Sequence, residues 1–342
     1  MSNANQLKQI AINLVRKGKG ILAADESNPT CKKRFDSIGV ESSFDSRNEY
    51  RDILFTSDGI EDFISGVILF DETLRQSTTC DKKIPFPELL NSKGIIPGIK
   101  VDKGAANLEG FLNEKATAGL DGLDERLAEY YELGARFAKW RAVITIGDDI
   151  PSDACIQANA HSLARYASKC QQAGIVPIVE PEVLMDGTHT IEKCNMVTNK
   201  VLKIVFEQLS MYNVLLEGIV LKPNMIISAI DCPVQADIEK VADMTYACLK
   251  ENVPENVPGI AFLSGGQSGD LATSHLRKMN EKYQNMPWNL TFSYGRALQH
   301  DTLNTWKGKN ENRKAAQESF LIRAKNNSLA TFGRDIEILE SR

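Results

Sequence analysis

A chain of 342 residues, 42% hydrophobic and 25% charged, has the composition of a globular rather than a disordered protein, and its length fits two average domains or one large α/β barrel. The formal charge of −5 supplies no general basic field for nucleic acid or anionic lipid, so any anion site must be concentrated. Seven scattered cysteines without a Cys-x-x-Cys pair point to a reducing, cytoplasmic setting, and four unclustered histidines offer no recognisable zinc site.

Leu7, Ile10, Ala11, Leu14 and Val15 recur at helical spacing, which predicts a short amphipathic helix rather than a signal peptide. No later apolar run is long enough to span a bilayer, so neither export nor a membrane partner is expected. Short runs rich in Ile, Val, Leu and Phe, bounded by Gly or Pro, then follow at 20–25, 65–70, 95–101, 137–144, 174–182, 216–222, 259–266 and 289–296. Amphipathic segments of helical period lie between most of them, at 123–136, 153–172, 191–209, 238–249 and 270–283. Eight such units predict a single (β/α)8 TIM barrel over about 18–331. An open doubly wound sheet is the rival, but no Gly-x-Gly-x-x-Gly follows the first strand and no P-loop lysine is present. No linker or composition break divides the chain, so residues 1–342 are assigned to one domain, closed by a helix around 314–328 and a polar tail at about 332–342.

In a parallel barrel, reactive groups gather where the strands end. Here Asp25 closes the first strand, Lys100 lies in the third, Lys139 and Arg141 in the fourth, Glu180 and Glu182 in the fifth, Lys222 in the sixth, and Arg296 ends the eighth. Side chains alternate along a strand, so Lys139 and Arg141 share one face and Glu180 and Glu182 another, while Trp140 and Pro181 point the other way. Any one of these charges could be a barrel-interior salt bridge or an exposed strand end. The set is not explained that way, because buried charges are costly and stability alone would favour Val, Ile or Leu.

A lysine beside other cations in a partly dry pocket is disfavoured as ammonium, and its free amine attacks a ketone to form an imine that acts as an electron sink. Lys222, in the run Gly-Ile-Val-Leu-Lys-Pro-Asn, is the candidate, with Glu180, Glu182 and Asp25 available to move protons. Leu-Ser-Gly-Gly-Gln-Ser-Gly (263–269) and Ser-Tyr-Gly-Arg (293–296) fall where barrels hold phosphate, since glycines expose backbone N–H groups and arginine binds bidentately. Arg34, Arg47 and Lys100 form a second cationic group, and two phosphates on one substrate would account for both.

These segments, with Gly-Lys-Gly-Ile-Leu-Ala-Ala-Asp-Glu-Ser (18–27), Gly-Ile-Lys-Val-Asp-Lys-Gly (98–104), Gly-Leu-Asp-Gly-Leu (119–123), Phe-Ala-Lys-Trp-Arg (137–141), Ile-Val-Pro-Ile-Val-Glu-Pro-Glu (175–182), Leu-Lys-Pro-Asn-Met (221–225) and 290–299, resemble the class I (Schiff-base) fructose-1,6-bisphosphate aldolases. The resemblance implies reversible cleavage of fructose 1,6-bisphosphate to dihydroxyacetone phosphate and glyceraldehyde 3-phosphate, in glycolysis, without metal or other cofactor. It makes Lys222 the imine lysine, Glu180 the acid/base, and Asp25, Lys139 and Glu182 their supports. It places Ser264, Gly265, Gly266, Ser293, Gly295 and Arg296 at one phosphate, Ser27, Arg34, Lys100 and Arg47 at the other, and Arg141 among the substrate contacts. It also implies a homo-oligomer, usually a tetramer. Two departures stand out: the chain ends Leu-Glu-Ser-Arg where many animal members end in a tyrosine that moves a proton at C3, and Ser27-Asn28-Pro29-Thr30 replaces Ser-Thr-Gly-Ser. The rival readings are the same chemistry on sedoheptulose 1,7-bisphosphate or fructose 1-phosphate, a barrel phosphosugar isomerase, and a non-catalytic scaffold.

Overall fold

In the computed structural model, which describes residues 3–334, eight parallel strands close a barrel. They are β1 (Gly20–Ala24), β2 (Ile64–Leu69), β3 (Ile96–Lys100), β4 (Phe137–Ile144), β5 (Val176–Val183), β6 (Val220–Leu221), β7 (Gly259–Phe262) and β8 (Asn289–Tyr294). Each pairs with its sequence neighbours, and β1 pairs with β8 to complete the ring. Helices return between strands, among them Leu123–Glu132, Asp153–Gln172, Ile191–Met211, Ile238–Asn252 and Gly269–Lys282. The expected barrel is therefore the one observed, and the part of the predicted tail beyond Arg334 lies outside the described residues.

Two strands, the sixth and the seventh, fall well short of their apolar runs, for backbone reasons. Leu216–Gly218 forms a 3-10 turn, so β6 begins only at Val220 and stops before Pro223, which has no N–H to give the ladder. The seventh run leaves the sheet after Phe262 because Gly265 and Gly266 adopt positive φ, 55° and 85°, which a strand does not tolerate. A small antiparallel hairpin, Ala105–Asn107 with Lys115–Thr117, was not foreseen, since three-residue strands carry too little period to read.

The alternation along each strand sorts the barrel into two environments. Outward positions such as Leu22, Ala138, Trp140, Val179, Leu221 and Phe262 join the large core beneath the helices. Inward positions low in the barrel, Ile21, Ala23, Ile68, Phe137, Val176, Ile178, Val220 and Ala261, form a second apolar cluster. The N-terminal helix, Asn3–Leu14, adds Leu7, Ala11 and Leu14 to that cluster, together with Val15 just past its end. It thereby stoppers the lower end of the barrel. Two residues further along the same inward rows stand the charges: Asp25 above Ala23, Lys139 above Phe137, Glu180 above Ile178 and Lys222 above Val220. The C-terminal helix, Arg313–Ala330, buries Ala316, Phe320 and Ala324.

The lower layer is close-packed around the Phe137 ring, and a Cβ added at Gly98 would lie 2.3 Å from two of its ring carbons. Gly98→Ala should therefore destabilise the protein by about 1–3 kcal/mol through overpacking, and Phe137→Leu in the same chain should recover part of the loss. Urea unfolding measures both; equal midpoints for parent and Gly98→Ala would contradict this packing.

Candidate active site

A cavity of about 790 Å³ opens at the C-terminal ends of the strands, within the usual size of a small-molecule site. Its floor is made by the tops of β1, β3, β4, β5 and β6, because the inward rows that are apolar below become charged here. Lys222 Nζ is 3.1 Å from Glu180 Oε1. Lys139 Nζ is 2.9 Å from Asp25 Oδ2, 3.5 Å from Glu180 Oε2 and 3.7 Å from Asp102 Oδ2. Glu180 thus bridges two lysines, and both side chains are only 5% exposed. Lys100 Nζ stands 3.5 Å from Asp102 Oδ1, and Arg141 pairs with Glu182.

Burial and charge oppose each other in this cluster, and charge wins. Burial alone would raise the pKa of Asp25, but Lys139 and then Lys222 hold it well below the carboxylate range. Burial alone would lower that of Lys139, yet Asp25, Glu180 and Asp102 together push it far above its usual value. Lys139 is therefore a fixed cation. Glu180 Oε2, by contrast, is buried and makes no hydrogen bond, its ion-pair contact with Lys139 Nζ being 3.5 Å long.

Two further walls suit anions. On one side Ser264, Gly265, Gly266, Ser293, Gly295 and Arg296 all line the cavity. Arg296 spends one N–H on the Gly266 carbonyl, at 2.6 Å, leaving the others free, and the Ser293 hydroxyl is buried without a protein partner. On the other side Ser27 caps helix Asn28–Asp36, but its hydroxyl makes no capping bond and instead lies 3.1 Å from Thr30 Oγ1. Ser27 and Thr30 line the cavity together with Arg34 and Lys100.

Arg47 is the exception among the expected residues. It does not line the cavity; its guanidinium makes two 2.7 Å bonds to Glu72, because helix Phe44–Phe55 turns that face toward helix Asp71–Leu74. Two carboxylates went unnoticed in the sequence. Asp102 lies two residues beyond Lys100 on the same inward row, so strand alternation would have found it. Glu26, next to Asp25 and so of the opposite parity, pairs with Arg34 and with the buried Arg51 on helices Asn28–Asp36 and Phe44–Phe55. Among the described residues, no group of three or more His, Cys, Asp or Glu side chains is placed to hold a metal ion.

Comparison with known proteins gives a consistent picture. The family described as fructose-bisphosphate aldolase class-I matches residues 6–340. A probable fructose-bisphosphate aldolase class 1 from Xanthomonas axonopodis pv. citri is 53% identical over 96% of this chain and 98% of its own length. Fructose-bisphosphate aldolase 5, cytosolic, from Arabidopsis thaliana is 54% identical over 97% of this chain and 92% of its own. Among solved structures, the Plasmodium falciparum fructose-bisphosphate aldolase, in a ternary crystal with TRAP and a small-molecule inhibitor, superposes with a TM-score of 0.96. That chain is 51% identical, and the match covers 98% of this chain and 96% of that one.

Lys139→Met keeps most of the side-chain volume while removing the cation from among the carboxylates, and at neutral pH it should cost about 3–5 kcal/mol of stability. In the parent, Asp25 titrates below its ordinary value of 3.8, so its contribution is complete above that pH and is lost as pH falls toward the depressed folded value. The variant lacks much of that dependence. The difference between the two should be widest near pH 7 and narrow below about pH 4, as read by urea unfolding across that range. A gap independent of pH would contradict the charge assignment.

Proposed function

Because the chain belongs to the class I fructose-bisphosphate aldolase family, we propose that it cleaves fructose 1,6-bisphosphate reversibly through an imine on Lys222. The observation that carries this reading is the single contact of 3.1 Å between Lys222 Nζ and Glu180 Oε1, beside a lysine that three carboxylates keep charged. Lys139 has no lone pair to offer. Lys222 can pass a proton to Glu180 and attack the C2 carbonyl of the ketose.

The carbinolamine then loses water as Glu180 returns a proton to the departing hydroxyl, giving the iminium. A carboxylate removes the proton of the C4 hydroxyl, the C3–C4 bond breaks, and its electron pair flows into the iminium to give an enamine while glyceraldehyde 3-phosphate leaves. Protonation of the enamine at C3 and hydrolysis of the imine release dihydroxyacetone phosphate and restore the lysine. Glu180 lies nearest to Lys222 and serves the proton transfers there. Asp25 and Lys139 fix its surroundings, and Glu182 with Arg141 forms the adjacent wall.

The glycine loop with Ser293, Gly295 and Arg296 is assigned to one phosphate, and Ser27, Arg34 and Lys100 to the other. Arg47 acts only through Glu72 in this reading. A cytoplasmic site of action is supported by seven free cysteines, six of them buried, and by a relative named as cytosolic. No helix among the described residues is long and apolar enough to cross a membrane. The whole chain is proposed to act as one barrel domain, and assembly as a tetramer is proposed from the family.

Glu180→Gln keeps the shape but cannot accept a proton, and kcat should fall by about 10²–10⁴-fold with KM little changed. A kcat within a few-fold of the parent would remove Glu180 from the mechanism. Arg296→Ala should weaken binding of dihydroxyacetone phosphate by about 1.5–3 kcal/mol, roughly 10- to 150-fold, with folding intact. Undiminished affinity, measured by competition against cleavage, would mean that Arg296 is no phosphate ligand.

A further inference from the structure

Gln267 is buried directly behind the glycine turn and is absent from the wall of the main cavity. Its backbone N–H donates to the Ser264 carbonyl at 3.0 Å, and its side-chain Nε2 donates to the same carbonyl at 2.9 Å. One oxygen is thus held twice by one residue. With Nε2 committed to Ser264, Oε1 is left as the acceptor, and His275 Nδ1 lies 2.6 Å from it. His275 is a buried residue of helix Gly269–Lys282 whose Nε2 has no partner. Burial pushes its pKa down to about 4, so the neutral ring with its proton on Nδ1 is the form that fits.

These bonds fix the peptide between Ser264 and Gly265. In a trans peptide the carbonyl and the N–H point in opposite directions. Holding the Ser264 carbonyl toward Gln267 turns the Gly265 N–H toward the cavity that Gly265 lines. Gly265 and Gly266, at φ 55° and 85°, have no Cβ to resist a peptide flip, and a flip would face an anion with an acceptor instead of a donor. The peptide at the far side of the turn, between Gly266 and Gln267, is held as well, since the Gly266 carbonyl accepts from Arg296 at 2.6 Å.

Resting on the reading of this loop as a phosphate subsite, we propose that Gln267, oriented by His275, is a positioning residue that holds the Ser264–Gly265 peptide with its N–H aimed at the phosphate. The loop's affinity for phosphate then depends on a side chain that never touches substrate.

The test compares two ketones that differ only in phosphate, each trapped on the enzyme by borohydride. Gln267→Met keeps the side chain's length and removes both amide groups; Gln267→Glu keeps its shape and removes the donor. In either variant the half-saturating concentration of dihydroxyacetone phosphate should rise on the order of tenfold, while trapping of unphosphorylated dihydroxyacetone keeps the parent rate. His275→Leu should produce a similar rise alone and add nothing on top of Gln267→Met, as expected of two residues in one chain of bonds. An unchanged response to dihydroxyacetone phosphate overturns the proposal. So does an equal loss for both ketones, which marks a merely structural role and is also what a misfolded variant would give. A parent enzyme that traps neither ketone would overturn the imine reading itself, a failure visible before any substitution is made.

Discussion

The ammonium group of Lys139 lies within 3.7 Å of three carboxylates, and the upper half of the barrel is arranged around it. Asp25, Asp102 and Glu180 could not remain charged together in so dry a place without a cation among them. With that cation present, burial strengthens every contact and fixes the geometry. It also divides the lysines by role. Lys139 is saturated by carboxylates and so is unable to attack a carbonyl, whereas Lys222 shares only Glu180, at 3.1 Å. In the proposed mechanism the distinction between electrostatic and nucleophilic lysine is one of position, since both are equally buried.

Such a cluster needs a scaffold that can bear it. The same inward rows supply the scaffold, because each charged side chain stands two residues above an apolar one. Phe137 and Lys139 belong to one strand and one face, so the packing that seals the barrel's lower end also sets the height and direction of the catalytic layer. The N-terminal helix closes that end against water. The cavity lies at the opposite end, and the walls proposed to bind phosphate line it with hydroxyls, glycines and arginines around the lysines.

Much of this was readable from residue order. Apolar runs separated by helical periods gave the eight strands, and the rule that reactive groups gather at strand ends brought Asp25, Lys139, Glu180 and Lys222 to one end of the barrel, with alternation setting Lys139 beside Arg141 and Glu180 beside Glu182. Where reading stopped, the cause is physical. Arg47 carries the same charge as Arg34, but sequence does not say which way a surface helix turns, and Glu72 claimed it. Glu26 has the opposite parity to Asp25, and its partners Arg34 and Arg51 come from two helices whose facing residue order does not show. The Gln267–His275 pair spans eight positions and joins a loop to a helix, so no local pattern announces it. Asp102 was within reach of the rule that found its neighbours.

The account stands or falls on which nitrogen becomes covalently bound. Borohydride reduction of the enzyme in the presence of fructose 1,6-bisphosphate, followed by digestion and mass mapping of the labelled peptide, reads that directly. The account predicts one reduced three-carbon phosphate adduct, on Lys222. An adduct on Lys139 or Lys100, or no adduct in an enzyme that still cleaves its substrate, would contradict it.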